Sequence, residues 1–299
     1  MSDWISLAAG QSYPAGTLYV VATPIGNVAD LSLRALHVLG LADAIACEDT
    51  RNTGQLLSRV GLQRPLVAVH EHNEREAAGR IVQRLAAGER IAYVSDAGTP
   101  GISDPGARLV EAVRAAGLPV VPLPGPSAAV AALSVAGEML DTGAGRFTFV
   151  GFLPSKAKAR AEAIAALAAL DHAWVLYEAP HRIAETLAAL AAGLPPARRL
   201  LVGRELTKLF EETPVMTVAE TPAWLAAEAT RAKGEFVLVV EGAAAGAADD
   251  GSPDAEAQRV LSLLLAELPA KRAAKLAAAI TGAGTDALYK LALAQRAEG

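Results

Sequence analysis

The chain is poor in aromatic residues, in cysteine and in net positive charge, and each shortage narrows what it can be. Phe, Trp and Tyr make up only 4% of the 299 residues, too few for a surface that grips nucleic acid by stacking bases on rings. The formal net charge is -5, so no global basic field draws the protein to a polyanion, although a local patch would suffice. Cys47 is the single cysteine, which leaves no internal disulfide and no cysteine-built metal cluster. Uninterrupted apolar stretches of about 18 residues are missing, so no membrane span is expected. Met1–Gly16 carries Asp3 and lacks a basic-then-apolar layout; a secretory signal is therefore not expected, and a cytoplasmic location is.

The common nucleotide signatures are missing too. No G-x-G-x-x-G follows the first apolar run, and neither G-x-x-x-x-G-K-[ST] nor G-x-S-x-G occurs. A standard dinucleotide dehydrogenase, a P-loop ATPase and a serine hydrolase of the nucleophile-elbow type are all disfavoured.

What the chain has is apolar residues, 52% of it, much of that alanine, which favours helix and adds little volume. Five strand–loop–helix units follow one another from residue 17 to about 137. Leu18–Ala22 precedes a helix over Leu31–Leu41, Ala44–Cys47 one over Thr53–Val60, and Leu66–Val69 one over Glu74–Ala87. Arg90–Val94 precedes Ala107–Ala116, and Val120–Leu123 precedes Ser127–Ala136. Short apolar runs alternating with longer helical patterns predict crossover connections and a largely parallel sheet. Gly40, Gly61, Gly88 and Gly117 fall where helix stops are expected.

After Phe147 the rhythm loosens. Apolar runs at Phe147–Val150, Trp174–Tyr177, Leu200–Val202 and Phe236–Val240 are separated by an Ala-rich helix, a helix over Ile183–Ala192 and an aperiodic stretch, Leu206–Val218. This predicts a second α/β domain with some antiparallel pairing. Residues 243–253 read as a flexible linker. Helical patterns follow over Ala255–Glu267, Ala270–Ile280 and Asp286–Ala294, with Gly282-Ala283-Gly284 making a tight turn of helix-turn-helix type. The expected domains are 16–123, 124–242 and 253–299.

In an open parallel sheet, ligands bind beyond the carboxyl ends of the strands. Three Gly/Pro-rich loops lie there: Thr23–Asn27, Ser95–Gly106 and Pro124–Ala129. Rigid backbone with few side chains in the way suits a flat polar ligand read by main-chain groups. Asp96, at a strand end before glycine, is placed to accept from an amino group or a ribose hydroxyl. Asp104-Pro105 reads as a helix start, the carboxylate as N-cap and the proline in the first turn. Glu48-Asp49-Thr50-Arg51 and His70-Glu71-His72-Asn73-Glu74 follow the second and third strands. An H-x-H pair is a weak metal signal, and capping or surface polarity is the plainer reading, so no metal is expected.

In this order, TPIGN, EDTR, HEHNE, SDAGTPGISDPG, PLPGPSAA, GFLPSKAKAR, YEAPHR, RELTK and KGEFVLVVEG resemble the bacterial ribosomal RNA small-subunit methyltransferase I family. The resemblance covers roughly residues 16–242, and the helical tail is similar to that family's C-terminal extension. It implies a fold of tetrapyrrole methylase type: two α/β domains with S-adenosylmethionine in the cleft between them, plus a small helical extension. It also implies 2′-O-methylation of a cytidine in the decoding region of small-subunit ribosomal RNA, by a homodimer acting on the assembled small ribosomal subunit. Carried over by residue, it points to Pro24, Gly26, Asp96, Thr99, Ser127, Ala128 and Tyr177 as donor-binding, with Arg204, Glu205, Gly234 and Glu235 beside them. Asn52 stands where the family pattern leads one to expect histidine, and asparagine cannot act as a base near neutral pH.

A ribose hydroxyl needs help losing its proton, and Glu48, Asp49 and His70 are the candidate acceptors. Arg51, Lys156, Lys158 and Arg160 are the candidate phosphate contacts. Two rivals remain at this level: a small-molecule tetrapyrrole methylase, and a ribosome-assembly factor that holds the ligand without turnover.

Overall fold

The computed structural model describes residues 6–70, 73–243 and 255–297. The chain falls into two compact units, Met1–Gly242 and Ala243–Gly299. The first opens with a short helix, α1 (Ser6–Ala9), and then builds a five-stranded sheet. Its elements run β1 (Leu18–Val21), α2 (Leu33–Leu41), β2 (Ala44–Cys47), α3 (Thr50–Arg59), β3 (Leu66–Ala68), α4 (Glu74–Ala86), β4 (Ile91–Val94), α5 (Ala107–Ala115), β5 (Val120–Leu123) and α6 (Ala128–Ser134). The strand order is β3-β2-β4-β1-β5 and every pairing is parallel. All residues of β2 and β4 are buried, as expected of central parallel strands covered on both faces. One core holds Tyr19, Val38, Leu39 and Ile45; the other holds Leu18, Ile81, Ile91 and Leu109.

Local departures from the sequence reading have identifiable causes. α3 starts three residues earlier than expected because Asp49 caps it, accepting from Arg51 N at 2.7 Å. Gly61, Gly88 and Gly117 do carry positive φ past helix ends, but Gly40 lies inside α2 and terminates nothing. The expected N-cap role of Asp104 is overturned. α5 begins at Ala107 after Gly106 (φ 126), and its first N–H groups donate to Glu74 of α4 instead.

The second sheet contains β6 (Phe147–Phe152), β7 (Ala173–Glu178), β8 (Arg199–Arg204), β9 (Val215–Thr217) and β10 (Phe236–Val240), in the order β6-β7-β10-β8-β9. β6 and β7 are parallel; the other pairs are antiparallel. α7 (Ala157–Ala168), α8 (Ile183–Gly193) and α9 (Thr221–Ala227) connect them. Trp174, Leu176, Leu187 and Leu238 are fully buried in the core beneath these helices. β9 lies inside the stretch read as aperiodic; three edge residues are too few to show a period of two. α9, seven residues long, was not foreseen either.

The second unit is a three-helix cluster: α10 (Ala255–Leu265), α11 (Ala270–Thr281) and α12 (Thr285–Ala297). Ala257, Leu261, Ala273, Ala277, Leu288 and Ala292 meet in its core, and Gly282 (φ 77) ends α11 in the left-handed conformation. The linker expected over 243–253 lies outside the described residues except for Ala243. Among the described residues no helix is long and apolar enough to cross a membrane.

Candidate functional site

The strand order decides where the loops meet. β1 lies between β4 and β5, so the loops leaving these three strands emerge side by side at the carboxyl edge. They are laced together. Thr23 and Gly98 exchange backbone hydrogen bonds of 2.9 and 3.1 Å, and Thr99 Oγ1 donates to Pro126 O at 3.0 Å. Gly98 has φ 81, and an added Cβ would lie 3.4 Å from Ile25. Gly98 thus serves through its positive φ, and Gly125 through close packing, since a Cβ there would fall 2.8 Å from Ala22 Cβ.

From the second sheet, the loop after β8 closes over the first. Asn27 N donates to Thr207 Oγ1 at 3.2 Å. A Cβ on Gly26 would fall 2.5 Å from Lys208 Cγ. Lys208 is itself held by two carboxylates, Glu205 and Glu235, each at 2.8 Å. Burial pushes the Glu205 carboxyl up, but Lys208 and the Glu235 amide more than offset that and leave it below the usual range. Gly234 (φ 98) fits against the Glu205 side chain, 2.5 Å from where its Cβ would be. Gly26→Val is therefore expected to push the two loops apart and weaken ligand binding on the order of tenfold, about 1.4 kcal/mol; calorimetry against wild type would measure it. Unchanged affinity would show that this contact does not shape the site.

Between the two sheets lies a cavity of ≈ 350 Å³, within the range of small-ligand sites. The first sheet contributes Gly98, Thr99, Ile102, Ser103, Asp104, Ser127 and Ala128, and the second contributes Phe152, Tyr177, Glu178, Leu206 and Glu235. Apolar walls are interrupted by three carboxylates, and the lining includes no Lys, Arg or His. Tyr177 Oη accepts from Ala129 N at 3.3 Å, and Phe149 packs edge-on to its ring. Glu178 is buried, accepts from Ala179 N and Thr186 Oγ1, and pairs with Arg182 at 3.3 Å.

Of the expected donor-binding residues, Thr99, Ser127, Ala128, Tyr177 and Glu235 line this cavity. Gly26, Glu205 and Gly234 form the packed contact behind it, and Pro24 lies in the same loop as Gly26. Two residues are placed otherwise. Arg204 is buried and its guanidinium donates to the carbonyls of Lys233 and Thr230, so it braces the β8–β10 end of the sheet. Asp96 accepts from Asp49 N at 3.1 Å and from Asn52 Nδ2 at 2.8 Å, tying the loop after β4 to the start of α3. Asn52, where histidine was expected, is thus a fixed donor.

The three expected proton acceptors lie outside the cavity lining. Asp49 is engaged as the cap of α3, and its hydrogen bonds to the Arg51 side chain hold its carboxyl at about 2. Burial, then the neighbouring Asp96 charge, pushes the Glu48 carboxyl up. His70 is exposed, its backbone N–H donating to Asn73 Oδ1. Glu71 and His72 of the same motif lie outside the described residues. Among the expected phosphate contacts, Arg51, Lys156 and Lys158 are exposed. Arg160 is not: its side chain is 6% exposed and paired with Glu185 at 3.0 Å. Its place on the inner face of α7 commits it to structure.

Sequence reasoning missed Asp104, Glu178 and Phe152. YEAPHR and SDAGTPGISDPG did mark the loops, but a capping pattern hid the first residue and a strand end hid the other two.

Comparison with known proteins agrees with this geometry. Residues 17–222 match the tetrapyrrole (corrin/porphyrin) methylases, and residues 251–296 match the RsmI C-terminal HTH domain. Among curated proteins, the ribosomal RNA small subunit methyltransferase I of Xylella fastidiosa is 51% identical over 92% of this chain and 98% of its own. That of Pseudomonas aeruginosa is 48% identical over 93% of this chain and 97% of its own. Among solved structures, the methyltransferase CobJ superposes with a TM-score of 0.57 at 22% identity, covering 77% of this chain and 95% of that one. A uroporphyrin-III C-methyltransferase from Thermus thermophilus, complexed with S-adenosyl homocysteine, gives 0.51 at 17% identity, covering 75% of this chain and 96% of that one.

Proposed function

The chain belongs to the tetrapyrrole methylase family and, within it, to the ribosomal RNA small subunit methyltransferase I proteins, and on that premise we propose that it methylates the 2′-hydroxyl of a cytidine in the decoding region of small-subunit ribosomal RNA. It is an S-adenosylmethionine-dependent ribosomal RNA methyltransferase. The observation that carries the reading is the make-up of the cavity: apolar and aromatic walls with no basic side chain among the lining residues, and with Glu178 and Glu235 held by Arg182 and Lys208 from outside it. No lining side chain can neutralise the phosphates of a nucleotide, whereas the adenosyl group of a sulfonium donor, which carries no phosphate, needs no such partner. Phe152 and Tyr177 add aromatic faces suited to a cation or an adenine ring.

When bound, the donor supplies an electrophilic methyl carbon on sulfur. The chain's part is to hold the two reactants in line, which contributes up to about 7–11 kcal/mol in favourable cases. Ala128 and Ser127 at the start of α6, with Tyr177 anchored to Ala129 N, form the wall that would hold the donor. Arg51, Lys156 and Lys158 supply exposed cations for the RNA backbone. The assembled small subunit as substrate, the homodimer and the cytoplasmic location belong to the same proposal, as do domain limits at 16–123, 124–242 and 253–299.

The test is methyl transfer from labelled S-adenosylmethionine to small subunits purified from cells lacking this methylation. The expected product is one labelled 2′-O-methylcytidine per subunit, about one equivalent. No incorporation by enzyme that binds the donor would leave only a non-catalytic assembly role. Methylation of a porphyrinoid in its place would support the tetrapyrrole rival.

A further inference from the structure

Three carboxylates face the cavity, and two of them are already neutralised. Glu178 is paired with Arg182, and Glu235 with Lys208. Asp104 has no cation partner among the described residues, and it is half-buried in the loop between β4 and α5. It does not cap α5 either, because Glu74 accepts the N–H groups of Gly106, Arg108 and Leu109. The loop that presents it is held in a costly conformation: Gly101, Ser103 and Gly106 all have positive φ, and serine rarely adopts φ 64. Ser103 reaches across to β6, where its Oγ would lie 3.2 Å from a Cβ on Gly151. A strained segment that spans the cleft, with its capping duty handed to another helix, presents one unpaired carboxylate to the ligand space.

Resting on the reading above, the geometry points to Asp104 as the general base that takes the proton of the attacking ribose hydroxyl. The ribose oxygen forms its bond to the methyl carbon as the carbon–sulfur bond breaks, the electron pair leaves with sulfur, and the hydroxyl proton passes to an Asp104 carboxylate oxygen, which later releases it to water. The surroundings suit the task. Burial above all, then the charges of Glu48 and Asp96, raise the Asp104 carboxyl to about 6, a hydrogen bond from Ser95 offsetting part of the rise. Tyr93 and Tyr177 face it from β4 and β7, and both phenols feel its charge. A base with a pKa near the working pH combines ionisation with proton affinity.

The test is single-turnover transfer to unmethylated small subunits, with enzyme saturated in S-adenosylmethionine, from about pH 5 to pH 9. The wild-type rate is expected to rise with pH and level off near neutrality. Asp104→Asn should lower the plateau on the order of 10²–10⁴-fold and abolish the acid limb, and Asp104→Glu should restore part of the rate with a displaced limb. Affinity for S-adenosyl homocysteine by calorimetry should stay within about threefold of wild type. A wild-type rate and limb in Asp104→Asn would overturn the proposal, as would collapse of cofactor affinity, which makes Asp104 a donor ligand. Should the asparagine variant not fold, an unshifted limb in Asp104→Glu overturns it equally. Label on a base with none on ribose would sink the 2′-hydroxyl reading and this base with it; ribose label at a rate indifferent to Asp104 sinks this inference alone.

Discussion

Glu74→Ala is expected to destabilise the first unit by about 3 kcal/mol, read as a lower midpoint in urea unfolding at unchanged slope. Glu74 is buried, 6% exposed, and one carboxylate oxygen accepts from Gly106 N and Arg108 N at 3.0 Å and from Leu109 N at 3.3 Å. These are the first donors of α5, which no residue of the helix can satisfy. The negative charge also faces the positive end of the α5 dipole. Alanine leaves these N–H groups without their acceptor, and a buried unsatisfied donor costs about 1–3 kcal/mol. Gln keeps an acceptor but loses the charge, so Glu74→Gln is expected to cost less, about 1–2 kcal/mol. A Gln variant as harmful as Ala would show that charge and not hydrogen bonding holds α5. Because Gly106 directly follows the Asp104 loop, the alanine variant should also lose methyl transfer beyond what its fraction unfolded explains.

Ala128→Trp is expected to weaken S-adenosyl homocysteine binding on the order of 100-fold, about 2.7 kcal/mol, while the unfolding midpoint stays close to wild type. Ala128 lines the cavity at the first turn of α6 and is half-buried there. An indole would occupy space the ligand needs, opposite Tyr177 and Phe152. The backbone contact between Ala129 N and Tyr177 Oη can persist, so the effect should appear in affinity and not in folding. Wild-type affinity in a folded Ala128→Trp protein would move the donor out of this cavity. Since the cavity is the physical basis of the enzyme reading, that single result would carry further than any activity assay.

The parallel character of the first sheet and the identity of its three ligand loops were legible along the chain. Both depend on local signals: short apolar runs, helical periods, and Gly/Pro clusters after the strands. Thr99, Ser127 and Ala128, which the family resemblance pointed to, lie within those loops and line the cavity. The order β3-β2-β4-β1-β5, which brings the loops after β4, β1 and β5 together, is a property of long-range pairing. So are the fate of Arg160, whose guanidinium turns inward to Glu185, and of Arg204, spent on backbone carbonyls. Asp104 shows the limit most clearly. Its neighbour Pro105 makes it a capping residue by every local rule, and only the arrival of Glu74 from α4 releases it to face the cavity. Local sequence specifies which backbone conformations and faces are favourable; which of two competing carboxylates satisfies a helix end depends on distances that exist only after the helices have packed.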